Sequence, residues 1–140
     1  MDGFRFSTHL TVRFAETDAQ GVAHNSAYLV WYEVARIDYL ARFRDGYRGV
    51  QEEGYEALTT ESHVRYLAPV RFDDRLTIHV RCSDLRGARF RFDYLVANDD
   101  GAVVADGWTS HAFVARDTFR PTRCPAWLAG AIAAAEATGP

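Results

Sequence analysis

One acidic side chain in the run Phe14-Ala15-Glu16-Thr17-Asp18-Ala19-Gln20-Gly21-Val22-Ala23-His24-Asn25-Ser26-Ala27-Tyr28 is placed to do chemistry. Asp18 sits in a short connection between two apolar segments, where a carboxylate in a partly dry crevice can take a proton from water or attack a carbonyl carbon itself. The backbone N–H groups around His24 to Ser26 open the second apolar segment, and a helix start favours the negative charge that either attack develops. Asp18, His24 and Asn25 are therefore the candidate catalytic residues, with His24 as pocket wall, cap or hydrogen-bond partner of Asp18. The competing reading of Asp18 is an Asx-turn former, the common fate of Asp near Gly. Glu33 is spaced to pair with Arg36 one turn on. His9, His63, His79 and His111 show no metal-ligand spacing, so no metal site is expected.

These residues need elements to hold them. Leu10, Val12 and Phe14 alternate with Thr11 and Arg13, the period of a strand. Gly21 permits the sharp turn that follows, and Asn25 and Ser26 are suited to cap a helix. From about residue 28 to 43 the chain is apolar on nearly every side, with Glu33, Arg36, Asp38 and Arg42 as exceptions, so the helix is expected to be buried on most of its circumference. Period two then takes over. Leu58, Thr60, Ser62, Val64 and Tyr66 alternate up to Pro69, Leu76, Ile78, Val80 and Cys82 share a face, and Phe90, Phe92, Tyr94 and Val96 form the next apolar row. Asp84 to Gly87 and Asn98 to Gly101 read as turns, and about residues 102–115 as the last long strand. An Ala-rich helix of about residues 125–137 closes the chain. The order predicts an α+β fold, an antiparallel five-stranded sheet wrapped around one long central helix. One sheet face would remain uncovered, so Val103, Phe113 and their neighbours are expected to find partners.

The Asp18 segment resembles the active-site run of the 4-hydroxybenzoyl-CoA thioesterase family of hotdog-fold acyl-CoA thioesterases. Asp18, Gly21, Val22, Ala23, His24 and Tyr28 fit that family's pattern, the helix continues with the expected Tyr32-Glu33-Val34-Ala35-Arg36, and Val64 to Asp74 resembles its second strand and turn. Asn25 departs from the second His or Tyr that many members carry, and Ala27 from Asn or Ser, which bears on acyl preference. The resemblance implies a single hotdog thioesterase domain over residues 1–140 that hydrolyses a small aromatic or short- to medium-chain acyl-CoA. A thiol leaving group of pKa about 8.5 needs no strong acid; Asp18 would be base or nucleophile and the helix start the oxyanion site. It further implies dimers that join sheets edge to edge, a homodimer or a homotetramer built as a dimer of dimers, and sites between subunits. Gly21, Val22, Ser26, Tyr28 and Glu33 would then line the substrate, Glu33 also standing as a second candidate base because related enzymes place one on the central helix. Arg86 and Arg89 beside Gly87 would meet the CoA phosphates, with Arg65 and Arg71 as weaker candidates. Two other functions suit the same fold: an enoyl-CoA hydratase or dehydratase, and a non-catalytic acyl-CoA binding module.

Composition narrows the partners. A chain of 140 residues can bury roughly 68% of its unfolded surface, enough for one core. The net charge of −3 gives no reason to expect nucleic acid. All sixteen basic residues are Arg, which grips phosphate through two bonds where Lys acts as a point charge. Cys82 and Cys124 are too few for a disulfide framework and read as free thiols of a reducing compartment. The start of the chain carries no leader pattern, and no stretch reaches the ~18 apolar residues of a membrane span. A cytoplasmic enzyme without cofactor and without membrane contact is the expectation.

Overall fold

The computed structural model describes residues 3–137. Met1 and Asp2, part of the leader reading, and residues 138–140 of the expected domain lie outside the described residues. The elements run β1 (Phe6–Thr11), a 3-10 turn (Phe14–Glu16), α1 (Asn25–Leu40), α2 (Gly46–Glu52), β2 (Tyr55–Tyr66), β3 (Arg75–Arg86), β4 (Arg89–Ala97), β5 (Val103–Ala115) and α3 (Ala126–Ala137). All five strands join one antiparallel sheet in the order β1-β3-β4-β5-β2.

The alternation of β3 and β4 explains why the sheet has one dry face. Leu76, Ile78, Val80 and Cys82 fall on the same side as Phe90, Phe92, Tyr94 and Val96, all buried, and α1 lies against them. The opposite face is more polar than expected. It carries ion pairs within and between strands: Arg91 of the same strand and Arg81 of β3 bracket Asp93 at 2.8 and 2.9 Å, and Arg65 of β2 grips Asp106 of β5 at 2.7 Å. Phe113, expected to seek a partner there, is 2% exposed and belongs to the core.

Tyr28, Trp31, Tyr32, Ala35 and Tyr39 recur at three- and four-residue spacing and form the buried stripe of α1. Tyr32 stacks on Tyr94 with ring centres 4.0 Å apart. This close approach needs Gly107 on β5, because a Cβ there would collide with the His63 carbonyl and lie 2.9 Å from the Tyr32 hydroxyl. Burial on most sides does not hold for this helix. Leu29, Val30, Val34 and Ile37 are 40 to 50% exposed, so the sheet covers one face of α1 and leaves an apolar stripe open.

Three further expectations change. Val12 is buried, but β1 ends at Thr11 and Phe14 opens the 3-10 turn with its ring 74% exposed. In β2 the register slips between Thr59 and Glu61, so Ala57 and Thr59 share the face that Ser62, Val64 and Tyr66 occupy after it, and Leu58 falls on the other. The short α2 departs from expectation, since Gly46 and Gly49 lower its helix propensity.

Candidate active site

The Asp18 segment is a narrow loop whose two limbs are stitched together. The His24 N–H donates to the Glu16 carbonyl at 2.9 Å, Thr17 bridges Ala23, and the Asp18 N–H donates to the Val22 carbonyl at 2.9 Å. Gly21 turns the tip with φ +81°. Val22 also bridges Arg71, which ties the loop to the connection entering β3. One oxygen of Asp18 accepts the Gln20 N–H at 2.8 Å and, more distantly, the Val22 N–H at 3.4 Å. That is an Asx turn, and it fixes the carboxylate without enclosing it: Asp18 is exposed in the single chain, and its other oxygen makes no bond among the described residues.

His24, and not Asn25 or Ser26, is the N-cap of α1, and its side chain caps nothing. Its Nδ1 pairs with the Ser26 hydroxyl at 2.8 Å and not with Asp18. Asn25 and Ser26 are the first two helical residues, so their N–H groups have no partner within the helix and remain available to an anion. Tyr66 reaches from the end of β2 to the Asn25 carbonyl at 3.2 Å, and its ring meets Tyr28 edge-on at 4.9 Å. Together Val22, Ala23, Asn25, Tyr28 and Tyr66 to Pro69 bound a cleft of about 260 Å³ at the helix start. The structure thus brings Gly21, Val22, His24, Asn25, Ser26 and Tyr28 into one neighbourhood with Asp18.

The remaining candidates lie elsewhere in the same chain. Glu33 and Arg36, 3.7 Å apart, stand at the rim of a second cavity of about 260 Å³ between the later half of α1 and the sheet. Its inner wall holds Phe90, Phe92 and His111. His111 is 3% exposed and hydrogen-bonds Thr109, which bonds Tyr94. Burial, with the Arg36 charge adding to it, pushes His111 down to about 3, so it is neutral at physiological pH. Arg65 is held by both oxygens of Asp106 on the outer sheet face. Arg86 pairs with Asp84 at 2.7 Å and stays exposed, opposite Arg89 across the β3–β4 hairpin. This hairpin is at the far end of β3 from the Asp18 loop, roughly 35 Å away by strand rise. Burial raises the thiols of Cys82 and Cys124, the latter to about 12, which leaves both un-ionised at neutral pH.

Two contributors escaped the sequence reading. Tyr66 reads there only as a strand residue. Glu16 is a buried carboxylate beneath the loop, accepting the Trp31 indole N–H at 2.8 Å and the Arg13 N–H at 2.8 Å and pairing with the Arg13 guanidinium at 3.1 Å. Burial alone would push this carboxyl up, but those bonds outweigh it and hold it below the usual range. The available signal was Trp31 itself, on the buried stripe of α1 with an indole N–H that must find a partner.

The chain is similar to known proteins in sequence and in fold. A family model described as the thioesterase-like superfamily matches residues 12–132. A 1,4-dihydroxy-2-naphthoyl-CoA hydrolase from Thermosynechococcus vestitus is 32% identical over 126 residues, covering 86% of each chain. The acyl-CoA thioester hydrolase YbgC of Shigella flexneri is 27% identical over 99 residues, 71% of this chain and 74% of that one. Among solved structures, a thioesterase from Thermus thermophilus complexed with coenzyme A and zinc superposes with a TM-score of 0.84 at 26% identity over all of both chains. With a family match across most of its length and this loop, helix and sheet in place, the chain belongs to the thioesterase-like superfamily.

Proposed function

We propose that this chain is a thioester hydrolase acting on acyl-CoA, with a small aromatic or short- to medium-chain acyl group, and that the whole chain forms one domain that works as a pair of copies. The observation that supports the reading is the Asp18 carboxylate, held on one oxygen by its own turn and open on the other, in the loop that leads directly into the start of α1, where the N–H groups of Asn25 and Ser26 have no partner among the described residues and Asn25 lines an apolar cleft. The thioester carbonyl oxygen takes its developing charge to those N–H groups. Water attacks the carbonyl carbon while Asp18 takes its proton, the C–S bond breaks, the thiolate is protonated, and acid and CoA leave. Direct attack by Asp18, followed by hydrolysis of the acyl anhydride, uses the same carboxylate.

The separation of the candidates supports a second copy. An ester held by Asp18 and by Arg86 and Arg89 of one chain would have to run the length of β3. The outer edge of β2 is unpaired and beside it lies the open apolar stripe of α1, two features that favour association. If two β2 strands pair antiparallel, the end of one sheet lies against the start of the other. Asp18 of one copy then approaches the Glu33 cavity and the Arg86 hairpin of its partner.

Release of free thiol from a panel of acyl-CoAs, with a protein-only blank for Cys82 and Cys124, tests the reaction. Turnover on at least one aromatic or short-chain ester is expected, and hydration of enoyl-CoAs without thiol release would overturn the assignment. Light scattering at micromolar protein should give a dimer or tetramer; a fully active monomer would overturn the shared site.

A further inference from the structure

We infer that Glu16 is a positioning residue for Asp18, fastening the base of the catalytic loop to α1 through the Trp31 indole; this rests on the reading of Asp18 as the reacting carboxylate. The loop's limbs are joined to each other, and Val22 and Ala23 tie it to Arg71 and Val70; these bonds set its shape and its place against the chain entering β3, but not its place on the helix. Glu16 supplies that second requirement at the foot of the loop. Its carbonyl takes the His24 N–H at 2.9 Å, at the residue where α1 begins, while its side chain takes the indole N–H of Trp31 two turns into the same helix at 2.8 Å. The Arg13 N–H, at 2.8 Å, holds the other carboxylate oxygen and so ties the incoming chain to the same group.

Three segments therefore meet at one carboxylate that is 7% exposed: the exit from β1, the foot of the loop, and the buried stripe of α1. A buried charge is costly unless its bonds are complete, and here they are directed at fixing where residues 17 to 23 sit relative to the N–H groups of Asn25 and Ser26. Glu16 is not part of the cleft lining. Its effect on the reaction must pass through Asp18 and the helix start.

Glu16→Gln keeps the size but loses the charge and one acceptor oxygen. Trp31→Phe keeps an aromatic ring and removes the N–H. Each should lower kcat about tenfold while KM stays within about twofold, because displacing a reacting group slows the chemical step more than it weakens binding. Since both variants break the same bond, the double variant should be little worse than either single one. In an Asp18→Asn background, adding Glu16→Gln should change the residual turnover by less than about twofold. Unchanged kcat in both single variants, or the same tenfold loss on top of Asp18→Asn, would overturn the inference. If Glu16→Gln does not fold, Trp31→Phe, alone and with Asp18→Asn, decides by the same criteria. Full turnover by Asp18→Asn alone would instead bring down the reading of Asp18, and the positioning role with it.

Discussion

The two ends of α1 handle polar groups in opposite ways. At its start, Asp18 has one oxygen uncommitted, Asn25 and Ser26 present free N–H groups, and the cleft is open to solvent. Towards its end, the chain Tyr94, Thr109, His111 is buried and mutually bonded, with Arg36 close enough to lower the His111 pKa. Spare hydrogen-bonding capacity in the first region is what the proposed reaction would use. Saturated capacity marks the second as a rigid wall that keeps α1 against the sheet, with only the Glu33 and Arg36 rim facing out.

The sharpest way to break this contrast is Asp18→Asn. Turnover should fall by roughly 10²-fold or more, with a melting temperature close to that of the parent, since the amide oxygen still serves the turn. Near-normal turnover would move the reaction to Glu33 and erase the distinction between the two ends.

The buried end should reveal itself through pH and stability. His111 is lowered from 6.5 to about 3 in the folded chain by burial, with Arg36 adding to it. Below pH 6.5 the unfolded chain binds a proton that the folded chain refuses. The stability associated with neutral His111 is thus complete above pH 6.5 and is lost as the pH falls towards 3, by up to about 1.4 kcal/mol per pH unit. Denaturant unfolding between about pH 7 and 4.5 should show this decline, and His111→Gln should flatten it. An equal slope in that variant would mean that His111 is not the buried, neutral group described above.

A smaller effect concerns the phosphates. If Arg86 and Arg89 meet the CoA phosphates as expected, away from the thioester, their contacts should be equal in ground and transition states and act mainly on KM. Changing both to Ala should raise KM for acyl-CoA severalfold, more at low salt, and leave a truncated pantetheine thioester unaffected. Equal losses on both substrates would make these arginines structural. The smallest expected change is Glu33→Gln, which removes the solvent-exposed half of a 3.7 Å pair whose Arg36 side chain is mostly covered, and should alter turnover and stability little.

Much of this was legible residue by residue. The faces of β3 and β4 follow from side chains that alternate about a pleat, a rule that needs only the local order of residues. The turn at Gly21, the Glu33 and Arg36 pair and the closing helix are local in the same sense. Where expectation failed, a neighbour distant in sequence had intervened. Phe14 continues the period of β1, yet the backbone leaves the β1–β3 ladder after Val12, which still meets Asp74, and turns at Arg13, whose carbonyl takes the Glu16 N–H. Leu58 lost its expected face because one slip in pairing with β5 inverts the alternation. Phe113 looked like an outer-face residue for want of the register that sets it beside Ala57 in the core.

The site divides along the same line. By itself the sequence determined the candidate reacting group and its immediate setting: a carboxylate, a glycine turn and a helix start between Asp18 and Tyr28, all governed by short-range geometry. Only the tertiary structure decided that Glu16 and Trp31 meet beneath that loop, that Tyr66 closes its cleft, and that Arg86 and Arg89 stand at the opposite end of β3. Those relations depend on how a sheet of order β1-β3-β4-β5-β2 folds the chain back on itself, and strand order is set by the summed burial of all five strands, which no single segment carries.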